Sequence, residues 1–165
     1  FDEMDSCGPE ALVAINAALA NNSYTFPDSP KAVARHPDFI CIACANTRGK
    51  GADRDYVGRM PLDAATLDRY VQMEIDYDTV IEGNMAATNY QQYGGTDTFK
   101  LQSWVSEVQA LRAQINSKKM EGVIISPRAT KAGAKALALG LDLKKIRESV
   151  LYKHMSHDQR RQLGV

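Results

Sequence analysis

The segment Phe39-Ile40-Cys41-Ile42-Ala43-Cys44-Ala45 constrains this chain most. It is apolar without a break and β-branched near its start, which is the pattern of a strand covered on both faces of a parallel sheet. Sheets of that kind occur with helices packed on them, so the run predicts an α/β fold. A second candidate strand, Val71 to Ile75, alternates Val71, Met73 and Ile75. Between the two, Thr47 to Gly58 is polar, carries glycines at 49, 51 and 58, and reads as a loop. Asp63 to Arg69 reads as a short helix, with Pro61 just ahead of it.

The remaining pattern divides the chain. Pro9 to Leu19 puts Leu12, Ile15 and Leu19 on one helix face, and Pro9 suits a first turn whose N–H has no partner anyway. Ser23 to Phe26 and Lys31 to Arg35 flank the turn-rich Pro27-Asp28-Ser29-Pro30 and read as a β-hairpin. Gly83 to Asp97, containing Gly94-Gly95, reads as an irregular connector. Beyond it, Leu101, Trp104, Val105, Val108, Leu111 and Ile115 form one helical stripe over Phe99–Ile115. Helices are predicted from Ser126-Pro127 to about Leu139, from Leu141 to Tyr152 and from Ser156 to Leu163, with Gly140 stopping the first. The expected organisation is a partial α/β core over residues 1–82, a connector over 83–98 and an all-helical subdomain over 99–165.

Composition excludes several classes. A 44% hydrophobic content argues against disorder. Lysine plus arginine and aspartate plus glutamate number 20 each, so no net charge points to nucleic acid or to an acidic tail. No apolar run reaches the roughly 18 residues that span a bilayer, and no basic-then-apolar leader opens the chain. Three cysteines do not suggest a disulfide framework, and a reducing, cytoplasmic setting is expected. The chain opens on Phe1-Asp2-Glu3, in what reads as the end of a strand, so a piece of a longer protein is expected.

Four places carry residues suited to phosphate chemistry. Asp2-Glu3 joins a carboxylate able to hold Mg²⁺ to one able to take a proton from water; alone, such a pair is usually solvated surface. Asn46 follows the apolar run, at the strand end where ligands sit in open α/β sheets, although asparagine is equally natural in a turn. Arg69, in Leu67-Asp68-Arg69-Tyr70, offers a planar fork for a phosphate, or an ordinary pair with Asp68. Arg128 opens a helix in Ser126-Pro127-Arg128, where alone it would be a first-turn residue without a role.

In this order and at these separations the four resemble the AAA+ ATPases, within them the branch containing the MoxR proteins and the CobS subunit of cobaltochelatase. Phe1-Asp2-Glu3-Met4-Asp5 resembles the tail of a Walker B strand, and His36-Pro37-Asp38-Phe39 leads into Ala43-Cys44-Ala45-Asn46-Thr47 as sensor 1. Leu62 to Tyr70 resembles the arginine-finger helix and Ser126-Pro127-Arg128 resembles sensor 2. The resemblance implies the C-terminal part of a P-loop NTPase core sheet followed by a helical lid, with ATP and Mg²⁺ as ligands. It implies a hexameric ring that remodels a protein or chelatase-type partner. Asp2 would sit by Mg²⁺, Glu3 would polarise the attacking water and Asn46 would sense the γ-phosphate. Arg69 would reach the neighbouring subunit's nucleotide, and Arg128 would contact nucleotide from the lid. Phe26 and Lys31, on the hairpin, fall where this branch carries an insertion facing the pore. One departure matters: no G-x-x-x-x-G-K-[ST] loop occurs in the 165 residues, so the chain alone is expected not to turn over ATP.

Other signals are weaker. In Cys41-Ile42-Ala43-Cys44, residues three apart on a strand point to opposite faces and cannot share a metal. His154 and His157 lack a third ligand, and Gly49-Lys50-Gly51 lacks the strand-to-helix setting of a phosphate loop. A non-catalytic module that docks to protein or DNA is the rival reading, and a helicase, which zero net charge disfavours, is a third.

Overall fold

Local signals set most of the helices. In the computed structural model, which describes residues 1–165, the chain forms two units, Phe1–Met73 and Glu74–Val165. In the first, α1 (Pro9–Ala20) starts on its proline and buries Leu12. The chain then turns into an antiparallel hairpin of β1 (Ser23–Thr25) and β2 (Ala32–Ala34), with Tyr24 opposite Val33. Arg35 ties the hairpin to the end of α1 through the Leu19 carbonyl and the Asn22 side chain. Helix α2 (Ala64–Asp68) is capped by Asp63, which accepts from the Thr66 N–H at 2.6 Å. The buried Thr66 hydroxyl in turn accepts from Asn16 of α1 at 2.7 Å.

The α/β expectation is corrected here. That hairpin is the whole sheet, and the parallel P-loop NTPase core sheet expected around Phe39–Ala45 is not formed. Residues 39–45 and 71–75 run as irregular chain, leaving Ile40 79%, Ile42 71% and Val71 100% exposed. A parallel strand buried on both faces needs backbone partners on both edges and cover on both sides. Residues 39–45 find one short partner, the segment Phe1–Met4. Phe1 donates its N-terminal amine to the Ile42 carbonyl at 2.7 Å, and Cys44 N donates to the Phe1 carbonyl at 2.9 Å. Met4 N then donates to the Cys44 carbonyl at 2.9 Å. The first two bonds straddle one residue on the facing segment, as in a parallel pair, and the ladder ends there.

The second unit is helical: α3 (Thr79–Gln92), α4 (Thr98–Ser117), α5 (Pro127–Ala138), α6 (Leu143–Ile146) continuing into a π turn at Arg147–Leu151, and α7 (His157–Leu163). Asp78, Asp97, Ser126, Asp142 and Ser156 each cap a helix by accepting from its first-turn amides. The α4 stripe is buried as its spacing predicts, at Leu101, Trp104, Val108, Leu111 and Ile115. It packs with Ala86 and Tyr90 of α3, Ala134 and Leu137 of α5, and Ile146 beyond them. The Trp104 indole N–H donates to the Thr130 carbonyl at 2.9 Å. Its ring lies so close to α5 that a Cβ at Gly133 would stand 1.9 Å from Trp104 Cζ2. Only glycine lets these two helices meet.

Most of the stretch read as an irregular connector, Gly83 to Asp97, is helix α3. Its buried face carries Glu82, Ala86, Asn89 and Tyr90, so polar members interrupt the apolar stripe. Glu82 is satisfied in place: Arg112 donates to it twice, at 2.6 and 2.9 Å, and the Thr130 hydroxyl and Gln109 donate as well. Arg112 also donates to the Ile125 carbonyl at 2.6 Å and lies 4.9 Å from the centre of the Tyr77 ring. No helix of the chain is long and apolar enough to cross a membrane.

Candidate active site

The first unit gathers its polar side chains around Asp5, a residue the motif reading passed over as part of a strand tail. Met4–Ser6 form one 3₁₀ turn that buries the Asp5 carboxylate completely. One oxygen, Oδ2, accepts from Asn46 N at 3.2 Å, Thr47 N at 2.8 Å and the Thr47 hydroxyl at 2.8 Å. The other, Oδ1, accepts from Arg59 Nη1 at 3.2 Å. Burial alone would push this carboxyl up. The Thr47 hydroxyl and amide, with the Arg59 charge, more than reverse that and hold it below the ordinary aspartate value. Such a buried carboxylate is structural: it locks residues 46–47 and 59 to the turn that carries Glu3.

Arg59 arrives from the long loop because that loop folds back on itself. Leu62 N donates to the Gly49 carbonyl, Lys50 bridges to Pro61, and Met60 N donates to the Asp5 carbonyl at 2.7 Å. Gly49 has φ of 76° and is pressed against Leu67, 2.8 Å from where a Cβ would stand. From this fold the Arg59 guanidinium reaches Glu3 Oε2 at 2.9 Å and the Ser6 hydroxyl. Hydrogen bonding to Arg59, and then its charge, holds Glu3 below the usual glutamate value. Glu3 itself is exposed and takes a left-handed backbone, φ 53° and ψ 44°, uncommon for a residue with a Cβ.

The motif residues fall as follows. Asp2 is exposed and its Oδ1 accepts from Glu3 N at 2.9 Å. Residues 1–5 and 42–47 are bonded side by side through Phe1, Met4 and Asp5, so the segment of Asp2 and Glu3 runs alongside the segment that ends in Asn46. The Asn46 side chain is exposed. Arg69 ends α2 on the surface, its guanidinium bonded to the Ala65 carbonyl of its own helix. Arg128 belongs to the second unit, exposed in the first turn of α5, with its N–H bonded to the Ser126 hydroxyl. Phe26 is half exposed and meets Tyr24 edge to face at 5.1 Å, and Lys31 is exposed. Cys41 lies 3.6 Å from the Tyr70 hydroxyl, and burial followed by that contact pushes the Tyr70 phenol up to about 12.

No three His, Cys, Asp or Glu side chains converge into a metal cage. Mg²⁺, however, is usually held by one or two carboxylates together with waters and substrate phosphates, and the exposed Asp2 suits that arrangement. A cradle of backbone amides for the triphosphate is not formed by these residues: Gly49-Lys50-Gly51 is closed against Pro61 and Leu67. Comparison with family models, with curated proteins and with solved structures returns no match to this chain.

Proposed function

We propose that this chain supplies the water-activating and phosphate-sensing residues of a ring-forming ATPase similar to the MoxR and CobS branch of the AAA+ proteins. The observation that supports the reading is the side-by-side bonding of Phe1–Met4 with Ile42–Cys44, the two segments on which or next to which Asp2, Glu3 and Asn46 lie. In this reading Glu3 takes the proton of the attacking water, Asp2 holds Mg²⁺ and Asn46 contacts the γ-phosphate. Mg²⁺, when bound with ATP, neutralises the charge that develops on the phosphates. Arg69 lies exposed at the end of α2 and is assigned to a neighbouring protomer's nucleotide, for which it would leave the Ala65 carbonyl, and Arg128 is assigned a nucleotide contact of its own. The partner is a second copy of the chain in a hexameric ring, with a protein or chelatase-type substrate and with Phe26 and Lys31 as substrate contacts. Three free cysteines suit a reducing cytoplasmic setting.

The test is Arg69→Ala in the natural gene product carrying these residues. A finger supplied in trans contributes about 10³- to 10⁵-fold to turnover. Hydrolysis should therefore vanish while ATP binding stays within a few-fold of wild type. Parallel loss of binding and turnover would remove the finger from the account.

A second reading has its own observation. Ile40, Ile42, Val71 and Met73 of the first unit are 71–100% exposed, and apolar side chains of this kind, where they adjoin, mark docking surfaces. A non-catalytic module that docks to a protein would use them. Wild-type turnover that is indifferent to Glu3→Gln would favour it.

A further inference from the structure

We propose that Arg59 is the positioning residue for Glu3, fixing the carboxylate that takes the proton of the attacking water; this rests on the ATPase reading above. Three observations support it. The Arg59 side chain is 12% exposed and anchored inward on Asp5, whose own side chain is fully buried. Its outward contact, Glu3, is 56% exposed. A surface carboxylate gains little stability from an ion pair, so this reach outward is poorly explained as a prop for the fold.

Second, the anchor is shared. The Asp5 carboxylate that holds Arg59 also accepts the amides of Asn46 and Thr47. One continuous set of bonds therefore runs from the residue assigned to the γ-phosphate, through Asp5 and Arg59, to Glu3. Third, Glu3 sits in a left-handed backbone conformation, which persists only where neighbours over-determine it. The Met4 N–H bond to Cys44 fixes the backbone beside it, and Arg59 fixes the side chain. One end of the guanidinium, Nη1, makes all of these contacts, to Glu3, Asp5 and Ser6, so the group that is anchored on Asp5 is the same group that holds Glu3.

The experiment is a double-mutant cycle on the gene product, with steady-state ATP hydrolysis as readout. Arg59→Gln should lower kcat about 10- to 100-fold, the cost of a misplaced reacting group, with the KM for ATP within about twofold. Arg59→Lys, which keeps the charge but not the position of the guanidinium, should recover part of the loss. In a Glu3→Gln background, Arg59→Gln should bring no further loss, because it acts through a carboxylate already removed. An unchanged kcat in Arg59→Gln, a rise in KM alone, or an equal loss in both backgrounds would overturn the proposal. Wild-type turnover that does not depend on Glu3 would overturn the ATPase reading, and the role of Arg59 with it. If thermal unfolding shows that Arg59→Gln does not fold, Arg59→Lys decides: lowered kcat at constant KM supports the proposal, and wild-type kcat overturns it.

Discussion

Removing Glu82 tests how the second unit is held together. Its side chain is fully buried, and that of Arg112 is 10% exposed. Glu82→Ala strips acceptors from Arg112, Thr130 and Gln109 together. Arg112 keeps only the Ile125 carbonyl and the Tyr77 face, so a buried cation is left without its counter-ion. Breaking such a pair from one side costs about 3–5 kcal/mol. A unit of about 90 residues has roughly 5–14 kcal/mol in all, so the variant should be close to its stability limit. Trp104 is the sole tryptophan and lies in this unit's core, so urea unfolding followed by its fluorescence reports on this unit alone. Glu82→Met with Arg112→Met should restore much of the loss, since two apolar groups of similar size need no partners. A shift below about 1 kcal/mol for Glu82→Ala would refute the reasoning.

The same residue sets an acid limit. Burial raises the Glu82 carboxyl, but bonds from Arg112 and Thr130 outweigh it and the net direction is down. A group depressed in the folded state contributes stability above its unfolded value of about 4.3 and loses it as pH falls through the folded value. The Trp104 transition of the wild type should therefore weaken below about pH 4.3, and the Glu82→Ala variant should lack that component.

Two further outcomes are expected. Gly133→Ala forces a Cβ into the Trp104 ring; overpacking of this kind costs about 1–3 kcal/mol, read as a lowered unfolding midpoint with altered Trp104 emission. Tyr70, raised to about 12, favours folding below its unfolded value near 10; that contribution should fade between about pH 10 and 12, and among the late-ionising tyrosines, which include Tyr152, ultraviolet titration should find one that Cys41→Ala brings earlier.

What the sequence made legible follows from the range of each interaction. The α4 stripe and the capping residues Asp63, Ser126 and Ser156 act within a turn or two, and the helices they predict are present. The runs at 39–45 and 71–75 carry strand composition, but a strand exists only through partners elsewhere, and one short partner does not make a sheet. Helix α3 escaped notice because its buried face includes Glu82 and Asn89, polar groups whose partners lie on other helices or are not evident from spacing. The Asp5–Arg59 bond joins residues 54 apart. Its only local traces were a carboxylate two places after Glu3 and an arginine directly after Gly58 in a glycine-containing loop.

Mixing two inactive variants addresses the nucleotide site between protomers most directly. Glu3→Gln and Arg69→Ala gene products, each reduced to a small residual turnover, are combined under conditions where protomers exchange, and ATP hydrolysis is measured. If Glu3 and Arg69 serve one nucleotide from opposite sides of an interface, the mixture holds interfaces with both residues intact and turnover returns to a sizeable fraction of wild type. A mixture as inactive as its components, with exchange verified, would contradict that arrangement.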